Sequence, residues 1–336
     1  MLLTKWVPAA IMLVSALGAS TAPQDQSQNE NSKQCKGADP DLSVVACSAI
    51  IDSGQETGLN LAQAYRYRGS AYWAKKNYDG AIQDFSQETR LNPNSWAGFY
   101  ELGRAYAHKG DYSRAIQDYD QALRLNPNFA DALIMRGLAQ TQNGNYDLAI
   151  QDYDKGVRLN PNSADGFYNR ALAYLHEGNY DRAVQDFDES LRLKPGDADA
   201  LFGRAFALGE DGKHGPAIKA YDQVLLSNPT NVEALLNRGL AYAELDDYDR
   251  AIADYDQAIN LGARFPTAFR NRSLAYAHEN KFLPAISDAG RYLWLKFGLL
   301  GITLRLFLLA LTIAFAFGWK RFRRDSSLDT DHRLVS

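Results

Sequence analysis

The sequence has few cysteines, no excess of basic residues and none of the common catalytic or phosphate-binding motifs. Its 336 residues include two cysteines, and its net charge is −4. Without a basic excess, the composition gives no reason to expect nucleic acid as a partner. The phosphate-binding patterns G-x-x-x-x-G-K-[ST] and G-x-G-x-x-G and the nucleophile pattern G-x-S-x-G are missing from it. We therefore expect neither an enzyme nor a cofactor.

Charged residues are sparse at the N-terminal end. In residues 1–20, Lys5 is followed by an apolar stretch from Trp6 to Ala19 with small residues at its end, the order typical of an export signal. A helix over that stretch would reach about 21 Å, short of the roughly 30 Å hydrocarbon core of a bilayer. We predict a cleaved signal peptide rather than a membrane anchor or a buried core helix, followed by a flexible, polar leader.

The C-terminal end carries a second apolar segment. Residues 297–319 form a 23-residue span with Arg305 as its single charge, long enough to cross a bilayer with some tilt. Basic residues follow it directly, so the positive-inside rule places residues 320–336 in the cytoplasm. The two ends together predict a single-pass protein of the cytoplasmic membrane, bacterial in type, with its large domain on the periplasmic side. A cytosolic domain with a tail anchor is the alternative topology.

Small residues recur on one face of this predicted membrane helix. Their spacing lets membrane helices pack closely, although plain apolar filler is the alternative interpretation. The residues are Thr303, Ala310, Ala314 and Gly318. Arg305 either extends toward the membrane surface or pairs with a carboxylate of another membrane protein. A homo-oligomer formed through this helix, in a self-associating structural protein of the envelope, is therefore an alternative function.

Between the two ends, the sequence repeats itself every 34 residues. The segment RLNPN begins at Arg90, Arg124 and Arg158, and RLKPG at Arg192 keeps the phase. An alanine recurs in every copy, and an aromatic residue follows it by four positions in all copies but the last: Ala81, Ala115, Ala149, Ala183, Ala217, Ala251 and Ala285, with Phe85, Tyr119, Tyr153, Phe187, Tyr221 and Tyr255. Each copy contains two stretches of helical periodicity separated by a turn. A pair of such helices cannot bury its apolar stripe alone, so neighbouring pairs have to stack.

This pattern resembles the tetratricopeptide repeat, which has a 34-residue period and alternating small, aromatic and proline positions. The resemblance covers residues 62–295 as seven units. It implies an all-α, right-handed superhelical solenoid of helix-turn-helix units, to which the sequence adds one transmembrane helix. Four positions depart from the pattern: Gln140, Leu208, Ala263 and Ala289. The resemblance also implies a scaffold that binds a protein or peptide partner.

The segment 21–61 precedes the first unit and holds both cysteines. Residues 41–50 resemble a lone second helix, with Cys47 in the aromatic position. An even number of cysteines in an exported chain favours a disulfide, and the spacing of Cys35 and Cys47 is not the C-x-x-C of a redox-active pair. We predict a disulfide that fixes this capping helix at the open end of the solenoid, where closing so short a loop contributes about 3 kcal/mol.

Acidic residues recur in register with the repeat. We interpret six aspartates as a structural ladder with recurrent arginines rather than as a catalytic pair: Asp84, Asp118, Asp152, Asp186, Asp254 and Asp288, with Arg68, Arg136, Arg170, Arg238 and Arg272.

Three histidines also share one repeat position. His176-Glu177 and His278-Glu279 begin like a zinc-protease helix, but Tyr180 and Phe282 stand where the second histidine is required. The nearest two of the recurrent histidines lie two units apart, and adjacent helices pack about 8–10 Å apart. We therefore predict no metal site.

In proteins of this family the first helix of each unit lines a concave groove. Positions 2, 5, 6, 9, 12 and 13 of the unit tend to contact the ligand. Transferred to this chain, they give the predicted groove residues Arg66, Tyr67, Trp73, Tyr100, Arg104, His108, Tyr168, Asn169, His176, Phe202, Asn237, Arg270, Asn271 and His278. Rings would cover the apolar side chains of an extended peptide, and amides would bind its backbone. The alternative for each residue is a solvated or helix-packing role. We predict a membrane-anchored scaffold or assembly factor that binds its partner in this groove.

Overall fold

The structure, a computed structural model, describes residues 23–262 and 265–297. These residues form sixteen α-helices and no strand. The helices are α1 Pro23–Cys35, α2 Pro40–Asp52, α3 Gly58–Ala74, α4 Tyr78–Leu91, α5 Trp96–His108, α6 Tyr112–Leu125, α7 Ala130–Gln142, α8 Tyr146–Leu159, α9 Ala164–His176, α10 Tyr180–Leu193, α11 Ala198–Glu210, α12 His214–Ser227, α13 Val232–Glu244, α14 Tyr248–Asn260, α15 Pro266–His278 and α16 Phe282–Phe297. The predicted all-α fold is confirmed for these residues, and the first repeat helix begins at Gly58 rather than Ala62.

Local sequence explains the turn inside each helix pair. Between α5 and α6, Gly110 adopts a φ of +78°, a conformation that costs glycine little and that ends the first helix. Asp111 then begins the second helix, where its carboxylate accepts a hydrogen bond from the backbone N–H of Arg114 at 3.1 Å. The same turn position has a positive φ throughout the repeat: Lys76, Gly110, Gly144, Gly178, Gly212, Asp246 and Asn280.

The two helices of a pair approach closely where glycine faces an aromatic ring. A Cβ atom on Gly103 would lie 2.8 Å from the ring of Tyr119, and one on Gly239 would lie 2.7 Å from the ring of Tyr255. The rings themselves are buried, with 1% of each tyrosine exposed. In these pairs the sequence sets a residue without a side chain against a large one, which lets the two helices pack closely.

The chain divides into two compact units at Ala139. In the first unit, the helices from α1 to α6 and most of α7 surround small cores such as that of Phe85, Leu102 and Ala105. In the second unit, the last turn of α7 and the helices α8 to α16 do the same, with the largest core around Tyr221, Val224 and Leu235. Within each unit the core runs between successive helix pairs, as expected of a stacked repeat.

The N-terminal segment differs from its prediction in one respect. The polar leader was expected to be flexible, yet residues Pro23–Cys35 form α1. A disulfide joins its last residue, Cys35, to Cys47 of α2, as predicted, and both cysteines are buried. The hydroxyl of Ser43 donates a hydrogen bond to the Cys35 carbonyl oxygen at 2.7 Å. These contacts hold α1 against α2. The polar composition of the leader does not indicate that it forms an ordered helix.

The predicted features at the two ends fall outside the described residues. They are the signal peptide 1–20, the membrane helix 297–319 apart from Phe297, its packing residues Thr303, Ala310, Ala314 and Gly318, and the tail 320–336. Among residues 23–262 and 265–297, no helix combines the length and the apolar character needed to span a bilayer. The features at the two ends therefore stay predictions.

Candidate functional site

The predicted groove residues lie on one side of the first helices of the pairs, which we call the first-helix face. In the second unit, α9, α11, α13 and α15 contact one another in succession, so their exposed sides are neighbours. Residues spaced by three or four positions share a side of a helix. In that unit the first-helix face is thus a continuous surface.

In the first unit, a group of rings surrounds one arginine, and we call it the Arg104 cluster. The guanidinium of Arg104 lies over the ring of Trp73 at 4.7 Å and over the ring of Tyr100 at 5.7 Å. His108 stacks on Tyr78 at 4.0 Å, and Trp73 meets His108 edge-on at 5.4 Å. Four predicted residues from α3 and α5 are therefore brought together. Stacked rings and a planar cation make a surface suited to flat or apolar groups.

Carboxylates stand beside this cluster. Glu101 accepts a hydrogen bond from Nη1 of Arg104 at 2.9 Å, and both side chains are about one third exposed. Burial raises the pKa of Glu101, and Arg104 opposes that shift. Glu88 is 2% exposed, and its Oε1 accepts a hydrogen bond from Ser95 at 2.6 Å. Burial also raises the pKa of Glu88, against the attraction of nearby Arg66.

Two predicted residues of α3 lie closer to the N-terminal cap. Tyr67 packs against the buried cluster that contains Cys35 and Cys47. The guanidinium of Arg66 lies over the ring of Tyr67 at 5.5 Å. Tyr67 therefore packs against the disulfide, and both Arg66 and Tyr67 are half-buried.

In the second unit, the predicted tyrosine and phenylalanine pack within their own helix pairs, and the predicted histidines pack against the preceding pair. The ring of Tyr168 meets Phe187 edge-on at 5.8 Å, and the ring of Phe202 meets Tyr221 at 6.0 Å. His176 stacks on Tyr146 at 4.5 Å. His278 likewise stacks on a tyrosine of the preceding pair, at 4.7 Å. Tyr168 and Phe202 are half-buried, whereas His176 and His278 are exposed.

The predicted polar residues of the second unit differ in accessibility. Asn169 and Asn237 are half-buried, and Arg270 is exposed. Nε of Arg270 donates a hydrogen bond to the Asn271 amide oxygen at 3.3 Å. Asn271 also hydrogen-bonds the hydroxyl of Tyr255. The amides of Asn169 and Asn237 are therefore the predicted side chains best placed to meet a partner's backbone.

The predicted arginine–aspartate ladder is present at other positions of the repeat. Arg238 donates from Nε and Nη2 to both oxygens of Asp254, at 2.9 and 2.6 Å, and from Nη1 to Asp222 at 2.6 Å. Hydrogen bonding to Asp254 raises the pKa of Arg238 above its ordinary value. Arg170 and Arg272 make the same bridges between successive second helices. The geometry is that of a structural tie between pairs.

One member of the predicted ladder has no arginine. The position equivalent to Arg68 and Arg136 is Leu102, and Asp118 has no arginine or lysine within ion-pairing distance among the described residues. Burial raises the pKa of Asp118 from 3.8 to about 7. The break was readable from the sequence, because the arginine recurs every 34 residues and is replaced by leucine only here in the first three units.

Sequence reasoning missed two columns of side chains on the first-helix face. At position 2 of the units that follow Ala139 stand Asp165, Asp199 and Glu233, all exposed. At position 9 stand Leu172, Phe206, Leu240 and Leu274, of which Leu240 is 42% and Leu274 57% exposed. Both positions belong to the predicted groove, and comparing the same position through successive units would have shown them.

Comparison with known proteins identifies the family. A sequence profile described as tetratricopeptide repeat matches residues 100–164, 134–198, 168–218 and 202–269, which together span half of the chain. A second profile of the same description matches residues 62–95. No curated protein matches the chain.

Several solved structures share the fold. One is the C-terminal part of a repeat-containing protein from Cytophaga hutchinsonii, 20% identical, covering 69% of this chain and 95% of that one with a TM-score of 0.59. A tetratricopeptide repeat protein from Parabacteroides merdae is 20% identical and covers 75% and 98%, with a TM-score of 0.53. YrrB, described as having an unusual peptide-binding site, is 21% identical and covers 56% and 97%, with a TM-score of 0.52. The profile matches and the stacked helix pairs agree, and the chain belongs to the tetratricopeptide repeat family.

Proposed function

We propose that this protein is a membrane-anchored scaffold that binds a partner protein on the first-helix face of its repeats. The family's fold suggests a protein–protein interaction scaffold. The Arg104 cluster carries the proposal for this chain, because its arginine and its rings are held in place by one another and remain accessible. Aromatic and arginine side chains of this kind dominate binding energy at protein interfaces.

The proposed partner is a protein of the bacterial envelope or a precursor being assembled there. The apolar start of the chain, the paired cysteines and the span 297–319 support an extracytoplasmic domain tethered to the cytoplasmic membrane. Epitope tags at Ser336 and in the repeats test this topology through protease digestion of spheroplasts. We expect the repeats to be cleaved and the Ser336 tag to be protected; the reverse pattern supports a tail-anchored cytosolic domain.

Crosslinking and pull-down from native membranes test the binding itself. We expect the full chain to recover a partner that a signal-deleted form does not. Arg104→Ala should reduce recovery about tenfold, as expected for a central interface residue. Arg104→Lys should reduce it less, because lysine keeps the charge and loses the planar stacking.

Arg124→Ala is the matched control, since Arg124 is exposed on the second helix α6 of the same compact unit. It should leave recovery unchanged. Equal losses in the Arg104 and Arg124 variants, or no partner above the signal-deleted form, contradict the proposal.

A further inference from the structure

The first-helix face of the second unit combines an apolar column with acidic ones. Leu172, Phe206, Leu240 and Leu274 recur at one position of successive first helices, and the last two are among the more exposed large apolar side chains. An apolar column of this length on a solvent-facing surface indicates an interaction site. Tyr168 and Phe202 beside it are committed to packing within their pairs.

Carboxylates flank this column on both sides. About two turns before it on α9, α11 and α13 stand Asp165, Asp199 and Glu233, and one turn after it stand Glu210 and Glu244, all five exposed. Among the described residues, none of the five forms an ion pair with a lysine or arginine. Lys194 lies close enough for its charge to interact with Asp165 and Asp199, but its Nζ binds Asp197 at 2.7 Å.

The acidic column lies against the aromatic residues of the preceding pair. Burial raises the pKa of Tyr168, and the negative charge of Asp199 on the next first helix adds to that shift. The carboxylate of Asp199 is thus close enough to act on the hydroxyl of Tyr168. At the predicted groove positions of α9, α11, α13 and α15, the five carboxylates are accompanied by one guanidinium, that of Arg270.

We infer that this face binds an extended segment of a partner protein in which basic and apolar side chains alternate. Charge complementarity selects the basic residues, because unpaired carboxylates on both sides of the column favour a cationic partner. Alternate side chains of an extended strand point to opposite sides, so every second, apolar side chain can enter the column. The long, flexible stems of the basic residues between them can bend back to the carboxylates that flank it. The inference rests on the proposed scaffold function and adds the chemistry of its partner.

The size of the site sets the length of the segment. First helices that pack 8–10 Å apart place α9 and α15 about 27 Å from each other, which an extended chain crosses in about eight residues. The half-buried amides of Asn169 and Asn237 lie on the same face and can bind its backbone groups.

Three fluorescein-labelled peptides of about eight residues test this on the full chain in nanodiscs, with fluorescence anisotropy as the readout. One alternates lysine and leucine, one glutamate and leucine, and one lysine and serine. We expect the lysine–leucine peptide to bind at least about tenfold more tightly than either of the others. Its affinity should fall as the ionic strength rises from about 0.01 to about 1 M, because the screening length shortens from about 30 to about 3 Å.

Variants of the face complete the test. The triple variant Asp165→Asn, Asp199→Asn, Glu233→Gln should weaken binding of the lysine–leucine peptide about tenfold and flatten its salt dependence. Leu240→Ser with Leu274→Ser should weaken it without changing the salt dependence. The control variant Asp181→Asn, Glu189→Gln, Asp249→Asn makes the same change in charge on second helices and should bind as the unaltered protein does.

Three results overturn the inference. They are equal binding of the glutamate–leucine peptide, equal losses in the triple variant and its control, and no binding of the lysine–leucine peptide. If the peptides fail while membrane pull-down still recovers a partner that Arg104→Ala releases, the scaffold function stands and only the partner's chemistry is wrong.

Discussion

The two compact units treat charge differently at equivalent positions of one repeat. In the second unit, Arg170, Arg238 and Arg272 each bridge aspartates of two successive helices. In the first unit, Leu102 takes the arginine position, and no described lysine or arginine pairs with Asp118. Their first-helix faces differ as well: a guanidinium among rings in the first, carboxylates beside leucines in the second. The repeat pattern determines the helix pairs in both units. Residues that depart from the pattern, such as Leu102, determine which charges each unit carries.

Breaking the arginine–aspartate ladder of the second unit should give the largest loss of stability. Arg238→Leu leaves Asp254, which is 5% exposed, without its bidentate partner. Removing one member of a buried ion pair costs about 3–5 kcal/mol, because an uncompensated charge stays buried. Hydrogen exchange of α13 and α14 in the full chain measures the local loss of stability.

Arg204→Leu is the control for this change. Arg204 binds one aspartate, Asp188, whose side chain is 53% exposed, and Ala220 stands where the second aspartate would be. The expected cost is below about 1 kcal/mol. Similar protection losses in the two variants would mean that burial of the aspartate is not what makes the ladder stabilising.

In the first unit, Gly98 faces a buried carboxylate and should be sensitive to added bulk. A Cβ atom there would lie 1.7 Å from Oε2 of Glu88. The buried carboxylate has to move, so we expect Gly98→Ala to destabilise α4 and α5 by about 2–3 kcal/mol. The double variant Gly98→Ala, Glu88→Ala should recover most of this, because the equivalent contact of the next two pairs is between Ala122 and Ala132.

Gly209→Ala in the second unit is the matched control. The nearest atoms to its added Cβ lie 4.0 Å away, so alanine should stabilise α11 by about 0.5–1 kcal/mol through its better helix propensity. Urea unfolding and hydrogen exchange measure both substitutions. A neutral effect of Gly98→Ala would show that Glu88 leaves its site at little cost.

Asp118, which lacks the arginine of the ladder, should have a smaller effect on stability, and that effect should depend on pH. Asp118 has a raised pKa of about 7, so the folded protein binds this proton more tightly than the unfolded chain does. Its contribution to stability is then greatest below about pH 4 and is lost as the pH rises toward 7. Ionisation opposes folding by at most about 4 kcal/mol, and partial exposure reduces that figure.

Asp118→Asn removes this titration. The variant should gain about 1–2 kcal/mol over the unaltered chain at pH 8 and nothing at pH 4. Urea unfolding at a series of pH values gives the difference curve. Parallel stability curves for the two proteins would show that Asp118 is hydrated enough to ionise without cost.

Much of the fold was predictable because its determinants recur. The period of 34 residues, the glycine facing an aromatic ring and the arginines facing aspartates are repeated in the sequence, so each copy supports the interpretation of the others. The disulfide between Cys35 and Cys47 followed from a chain with two cysteines. The order of α1 was not predictable, because a polar segment shows no periodicity and is held by contacts with α2.

The candidate site was less predictable than the fold. Its positions on the first helices came from the family resemblance, but the environment of each side chain depends on the neighbouring pair. His108, His176 and His278 each stack on a tyrosine about thirty residues earlier in the chain, one repeat before. Tyr100, Tyr168 and Phe202 each meet a ring of their own second helix, and Tyr100 together with Trp73 also lies beside Arg104.

The sequence by itself determined that this chain builds helix pairs, where each pair turns and which charges can tie one pair to the next. These follow from local periodicity, from turn residues and from residue types repeated at a fixed spacing. The tertiary structure alone decided that Glu88 lies against Gly98, that Asp118 is half-buried and that the carboxylates beside the leucines of the second unit are exposed. Such environments arise where side chains from different pairs meet, and stacking is what brings them together.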